Sequence, residues 1–162
     1  SGNGWKGWYK GHFFRSLKEL SFILRQEGDG AEWKTGETIR IKYIFNGGER
    51  TYRPDFIIGK IIYEIKPERL INSPLILAKS KAAKEFCALN GYEFRIIDEP
   101  ISMYLINIAL TRGDIKFYGD YLDRYFYHIV AKISNTKNPY KKGMKFPAFT
   151  KEQFENGDIF DV

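Results

Sequence analysis

The chain has 162 residues, about one domain's worth, with 43% hydrophobic and 28% charged residues, a balance that excludes collagen-like, low-complexity and wholly disordered chains. A single cysteine, Cys87, excludes an internal disulfide and a cysteine-rich zinc site and favours a reducing compartment. The formal net charge of +6 and the aromatic share of 17% point to a polyanionic partner whose phosphates are neutralised and whose bases are stacked upon; the bland alternative is a soluble basic protein with a Phe-rich core.

In chain order, residues 1–12 read as a Gly-rich arm in which glycines alternate with Trp5, Lys6, Trp8, Tyr9 and Lys10. The arm cannot bury enough to fold alone and must pack on the domain or on a ligand. It opens Ser1-Gly2 without Met and without a secretory signal, and so reads as an expression scar or an excised fragment. Residues 14–26 predict a helix with Leu17, Leu20, Ile23 and Leu24 on one face, stopped by Gly28 and Gly30. Residues 37–45 alternate as a half-buried strand, and Asn46-Gly47-Gly48 marks a hairpin. Residues 51–58 are the return strand, Gly59-Lys60 a second turn and residues 61–66 a third strand, so 37–66 reads as a three-stranded meander.

Ser73-Pro74 has the chemistry of a helix start, and Gly91 that of a stop. A fourth strand over 92–97 follows, then helices over 102–111 and 120–133. The apolar stretch 101–110 is too short for a membrane helix. Residues 134–149 are polar and basic, and the last residues turn acidic. No internal repeat is visible. The expected class is α/β: a helix, a three-strand meander, a helix and a strand forming a mixed sheet flanked by helices, with a helical C-terminal extension. Its divisions are an arm at 1–12, a core at 13–98 and a helical extension with a basic and acidic tail at 99–162.

Asp55, Glu64 and Lys66 carry the chemistry. The hairpin that turns at Gly59-Lys60 sets Asp55 nearly opposite Glu64, and Lys66 shares the Glu64 face. Two carboxylates so placed hold a hard cation such as Mg²⁺, with water filling its other positions. A lysine beside them keeps water near the deprotonated state and stabilises developing phosphate charge. The competing reading is a solvated strand face. Against it, 56–58 and 61–63 are apolar on both faces, so inward charges need a reason. Pro54 also stands where a regular ladder wants a donor.

Pro54-Asp55 followed by Glu64-Ile65-Lys66, after a helix bearing Glu19, resembles the PD-(D/E)XK superfamily of restriction-endonuclease-like nucleases, and the order of elements over 13–98 fits it. The arm and the stretch Phe14-Arg15-Ser16 to Glu19-Leu20 look most like phage-encoded homing endonucleases of that superfamily. Junction resolvases and transposon end-cleaving nucleases look similar in the core.

The resemblance implies Mg²⁺-dependent hydrolysis of DNA phosphodiesters, with Mn²⁺ able to substitute. Asp55, Glu64 and the Ile65 carbonyl would hold the metal, Lys66 would be the catalytic lysine, and Glu19 would orient the metal-bound water. Arg53 and the arm residues Trp5, Lys6, Trp8, Tyr9, Lys10 and Arg15 would grip double-stranded or branched DNA, and Lys79 or Lys84 would approach the scissile phosphate. The plainer readings are a surface glutamate at 19, tryptophans packed on the domain's own flank and a solvated lysine face. The implied setting is the cytoplasm of a bacterial or phage-infected cell, and the implied assembly a homodimer. A Holliday-junction or branched-DNA resolvase and a catalytically decayed DNA-binding module are the alternatives. Cys87 falls on an apolar helix face and reads as core; His12 and His128 have no obvious ligand partner.

Overall fold

A computed structural model describes residues 5–133. These form two compact units: Phe22–Pro100 is one, and the described residues before 22 and after 100 form the other. The expected division instead cut the chain at 12/13 and at 98/99. Among the described residues no helix is long and apolar enough to cross a membrane.

In the unit before 22 and after 100, the expected Gly-rich arm runs into a hairpin over residues 7–14. Strand β1 (Gly7–Tyr9) pairs antiparallel with β2 (His12–Phe14). The turn between them puts both Lys10 (φ 46°) and Gly11 (φ 81°) in the left-handed region, which suits a two-residue hairpin. Helix α1 (Leu17–Gly28) begins here and crosses into the other unit at residue 22. Its expected start at Phe14 is three residues too early, because Phe14 is the buried end of β2 and Ser16 caps the helix. The chain that re-enters this unit after residue 100 is tied back to α1 by the Ser102 N–H, which donates to Ser21 Oγ at 3.0 Å.

The other unit holds the sheet that carries the candidate site. Its strands are β3 (Trp33–Thr35), β6 (Phe56–Ile58), β7 (Ile61–Ile65) and β8 (Glu93–Ile97), in that order. β3–β6 and β6–β7 are antiparallel and β7–β8 is parallel, the mixed sheet the sequence leads one to expect. Strands β4 (Ile41–Phe45) and β5 (Gly48–Tyr52) form a separate two-stranded sheet. The three-strand meander is therefore broken in two. The break falls at Arg53–Asp55, where Pro54 has no N–H to continue a ladder. The expected strand start at 37 is also displaced. The Ile39 N–H donates to the Gly36 carbonyl in a turn, and pairing begins only at Ile41. Asn46 and Gly47, both at positive φ, make the hairpin turn as expected.

Between β7 and β8 lie the short α2 (Glu68–Ile71) and the long α3 (Pro74–Asn90). Ser73 caps α3 and accepts the Ile76 N–H, Pro74 takes the first turn, and Gly91 ends it at φ 73°, all as the sequence specifies. On one face of the large sheet Phe22 stacks on Phe56 at 4.8 Å and meets Tyr63 at 5.2 Å. Ala83 of α3 packs with Ile41, Tyr43 and Tyr52 of the small sheet, and Phe94 of β8 closes on the same cluster. Cys87 is buried and free, as a core residue.

After residue 100 come α4 (Met103–Thr111), the unexpected strand β9 (Ile115–Phe117) and α5 (Tyr121–Ile133). β9 pairs with β1, giving a three-stranded sheet in the order β2-β1-β9. Gly7 is required in that sheet, because a Cβ there would sit 2.6 Å from the Lys116 carbonyl oxygen. Phe14, Phe117 and Tyr125 pack edge-on and tilted beneath it, and the buried Tyr125 hydroxyl donates to Asn107 Oδ1 at 2.8 Å. The expected basic stretch 134–149 and acidic tail lie outside the described residues.

Candidate active site

The register of β6 and β7 pairs Phe56 with Tyr63, so the next pair outward is Asp55 with Glu64. The Asp55 N–H donates to the Tyr63 carbonyl at 3.2 Å, which continues the ladder past the end of β6. Phe56 and Tyr63 face Phe22, and alternation turns Asp55 and Glu64 to the opposite face. The expectation that the two carboxylates oppose each other is met in this geometry. Lys66 also keeps to the Glu64 face, because its N–H donates to the Ile97 carbonyl at 2.9 Å and prolongs the β7–β8 pairing.

Asp55 is fixed from two sides. Its Oδ2 accepts the Ile65 N–H at 2.8 Å, and its carbonyl accepts the Gly36 N–H at 3.1 Å. Gly36 was not singled out in the sequence. A Cβ there would stand 2.1 Å from the Pro54 carbonyl oxygen, so only glycine lets the 35–37 turn press against the residue before Asp55. A glycine ahead of a strand is too common a signal to have marked it.

Glu64 is 5% exposed. Burial pushes its carboxyl well above the usual range, and the charge and hydrogen bond of Asp55 push it further; Lys66 and Lys79 pull the other way. Two carboxylates are thus held together in a desolvated place with only partial compensation. Tyr52 adds a second unresolved polarity. Its buried hydroxyl has no hydrogen-bond partner among the described residues, and burial, Glu64, Cys87 and Asp55 all oppose its ionisation. A hydrated divalent cation held by the two carboxylates would neutralise the pair. The donor set suits a hard, oxygen-loving ion. Among the described residues no three His, Cys, Asp or Glu side chains cluster as a metal site. Asp55 and Glu64 would therefore be completed by a backbone carbonyl and water, as Mg²⁺ accepts.

Lys79, on α3, lies over the rings of Tyr43 (5.9 Å) and Tyr52 (5.4 Å) and is among the charges acting on Glu64. Lys84 is exposed, about 140° further round the helix. Arg53 is exposed beside Pro54. Ile65 is buried, and its N–H serves Asp55. Tyr43 and Tyr52 were missed because on β4 and β5 they read as ordinary inward positions of a strand.

The remaining expected site residues belong to the other unit. Glu19 Oε2 accepts the Arg15 N–H at 3.0 Å, while Ser16 Oγ accepts the Glu19 N–H at 3.1 Å. This is a reciprocal capping arrangement at the start of α1. Trp5 packs on the Tyr121, Tyr125 and His128 rings at 5.4 to 6.4 Å, with Arg124 over it, so the flank-packing alternative is the one observed. Tyr9 needs correction as a DNA contact, because it is a core residue, 4% exposed. Trp8 and Lys6 are half-buried, and Lys10 and Arg15 exposed.

Residues 31–99 match a family model described as TnsA-like endonuclease N terminal. The match covers less than half of the chain; it includes Gly36, Asp55, Glu64 and Lys66 and leaves out Glu19. No curated protein matches the chain.

Proposed function

We propose that the protein is a Mg²⁺-dependent DNA endonuclease, in which residues 31–99, matching the TnsA-like endonuclease N-terminal family model, form a restriction-endonuclease-like domain. The observation that carries the reading is the pairing of the half-buried Asp55 with the buried Glu64, with Lys66 on the same face. Asp55, Glu64 and the Ile65 carbonyl are the residues that would hold the ion. When bound, the ion activates a water and takes up negative charge on the phosphate.

This chain's own residues do the rest. The Ile65 N–H fixes the Asp55 carboxylate against β7. Burial of Glu64 excludes bulk water and strengthens every charge interaction around it. Lys66 places an ammonium where phosphate charge develops and where a water proton must be lost. Lys79, Lys84 and Arg53 are the cations of this unit proposed to meet the DNA backbone, which fixes register without reading sequence.

Among the finer readings, the family match supports an endonuclease in general, and homing has its support in the resemblance in residues 7–20. Junction resolution stays as the second member of the same chemistry. A decayed module is disfavoured by the retention of Asp55, Glu64 and Lys66 together.

The reading is tested by the ends it leaves. A duplex cut by the wild-type protein in Mg²⁺ should carry 5′ phosphate and 3′ hydroxyl, and DNA ligase should reseal it. Ends that resist ligation until phosphatase or kinase treatment would mean a different reaction.

A further inference from the structure

We propose that the outer face of the β2-β1-β9 sheet is a stacking platform for an unpaired DNA strand. The inference rests on the nuclease reading only for its choice of DNA.

The register sets Trp8 between Phe13 on β2 and Lys116 on β9, so these three form one cross-strand row. Their neighbours in register, Gly7, Tyr9, Phe14, Ile115 and Phe117, are buried on the opposite face. The row is therefore the sheet's outward face. Trp8 lies 5.5 Å from Phe13 and 6.1 Å from Tyr118, both tilted. Tyr118 is 57% exposed, and Arg15 stands 5.2 Å over the Phe13 ring. Beside Trp8, the Lys10-Gly11 turn, Gly113, Asp114 and Lys116 surround a depression of about 460 Å³.

The occupant follows from this chemistry. Lys10, Arg15 and Lys116 outnumber Asp114 on the face, so its partner is anionic. Aromatic rings offered beside cations suit bases that expose their π-faces, and a duplex hides those faces within its stack. An unpaired strand presents both phosphates and open bases. A folded acidic protein would use the cations and leave the rings unexplained. Half of the platform was beyond the sequence, because Lys116 and Tyr118 reach the hairpin only through pairing of β9 with β1.

Anisotropy of a labelled thymidine 20-mer, read in EDTA on the full chain, tests the proposal beside a duplex of equal length. Wild type should bind the single strand, and Tyr118→Ala should weaken that binding roughly 5- to 150-fold, the worth of one stacked base. Trp8→Leu should do the same. Duplex binding should change less than about twofold in both variants. Lys116→Gln leaves the rings in place and should reduce the salt slope of single-strand binding by about 0.7. The platform is overturned if the ring variants bind the single strand like wild type, if they lose duplex binding equally, or if anionic vesicles bind this face in preference to oligonucleotide. Those outcomes leave the nuclease reading standing. Conversely, loss of cleavage chemistry with intact single-strand binding would end that reading and spare the platform.

Discussion

The Asp55 carboxylate accepts the Ile65 N–H at 2.8 Å, and so a site acid is held by the backbone of the strand that carries the other acid. The bond couples the geometry of the pair to the β6–β7 register, so the carboxylates cannot drift apart without breaking sheet pairing. Asparagine at 55 keeps an oxygen for that N–H and removes only the charge. Asp55→Asn should therefore fold with a melting temperature within a few degrees of wild type, yet lose cleavage at least about a hundredfold, since metal-assisted charge stabilisation is worth several kcal/mol. Calorimetry and a timed cleavage assay on the same preparation read both quantities.

Glu64 predicts a pH dependence. A carboxyl whose folded pKa lies above its unfolded one binds more protons in the folded state. Its contribution to stability therefore declines as pH rises from the ordinary carboxyl range up to the raised value, and the penalty is complete above it. Without metal, the advantage of Glu64→Gln over wild type in thermal melts should grow between pH 5 and pH 8. Added Mg²⁺ should raise the wild-type melting temperature more at pH 8 than at pH 5, because protons compete for the same oxygens. A difference between the two proteins that stays constant across that range contradicts the account.

Gly36 is a positioning residue. Gly36→Ala drives a methyl group into the Pro54 carbonyl, and overpacking of this kind costs about 1–3 kcal/mol. The displaced chain carries Asp55, so Mn²⁺ affinity measured by titration calorimetry should fall together with stability. Glycine replaced by alanine at the solvent-open Gly28 is the control, and should leave Mn²⁺ affinity unchanged.

Glu19 has two assigned roles that one substitution separates. Glutamine can accept the same N–H as glutamate does, so Glu19→Gln should keep wild-type stability, whereas Glu19→Ala should lose about 0.5–1.5 kcal/mol, the worth of one hydrogen bond. The role implied by the superfamily resemblance predicts that cleavage nonetheless falls at least tenfold in Glu19→Gln. Full activity there would leave Glu19 as a helix cap alone.

The opposition of Asp55 and Glu64 was legible because a two-residue turn fixes register, and the face of Lys66 follows from strand alternation. Helix α3 was legible at both ends for the same reason: Ser73, Pro74 and Gly91 act locally. What stayed hidden depends on contacts distant in sequence. β9 is three residues long and exists because β1 lies beside it. The meander splits because Pro54 ends one pairing and lets another begin, and neither partner is visible in the local pattern. The orphaned Tyr52 hydroxyl arises only when β5 meets α3 and β7, so no motif announces it.

The most direct measurement is conversion of supercoiled plasmid in Mg²⁺, run with wild type, Lys66→Ala and an EDTA control. The account predicts nicked or linear product from wild type alone, with Lys66→Ala slowed at least about a hundredfold. Equal cleavage by Lys66→Ala, or cleavage that survives EDTA, would contradict it.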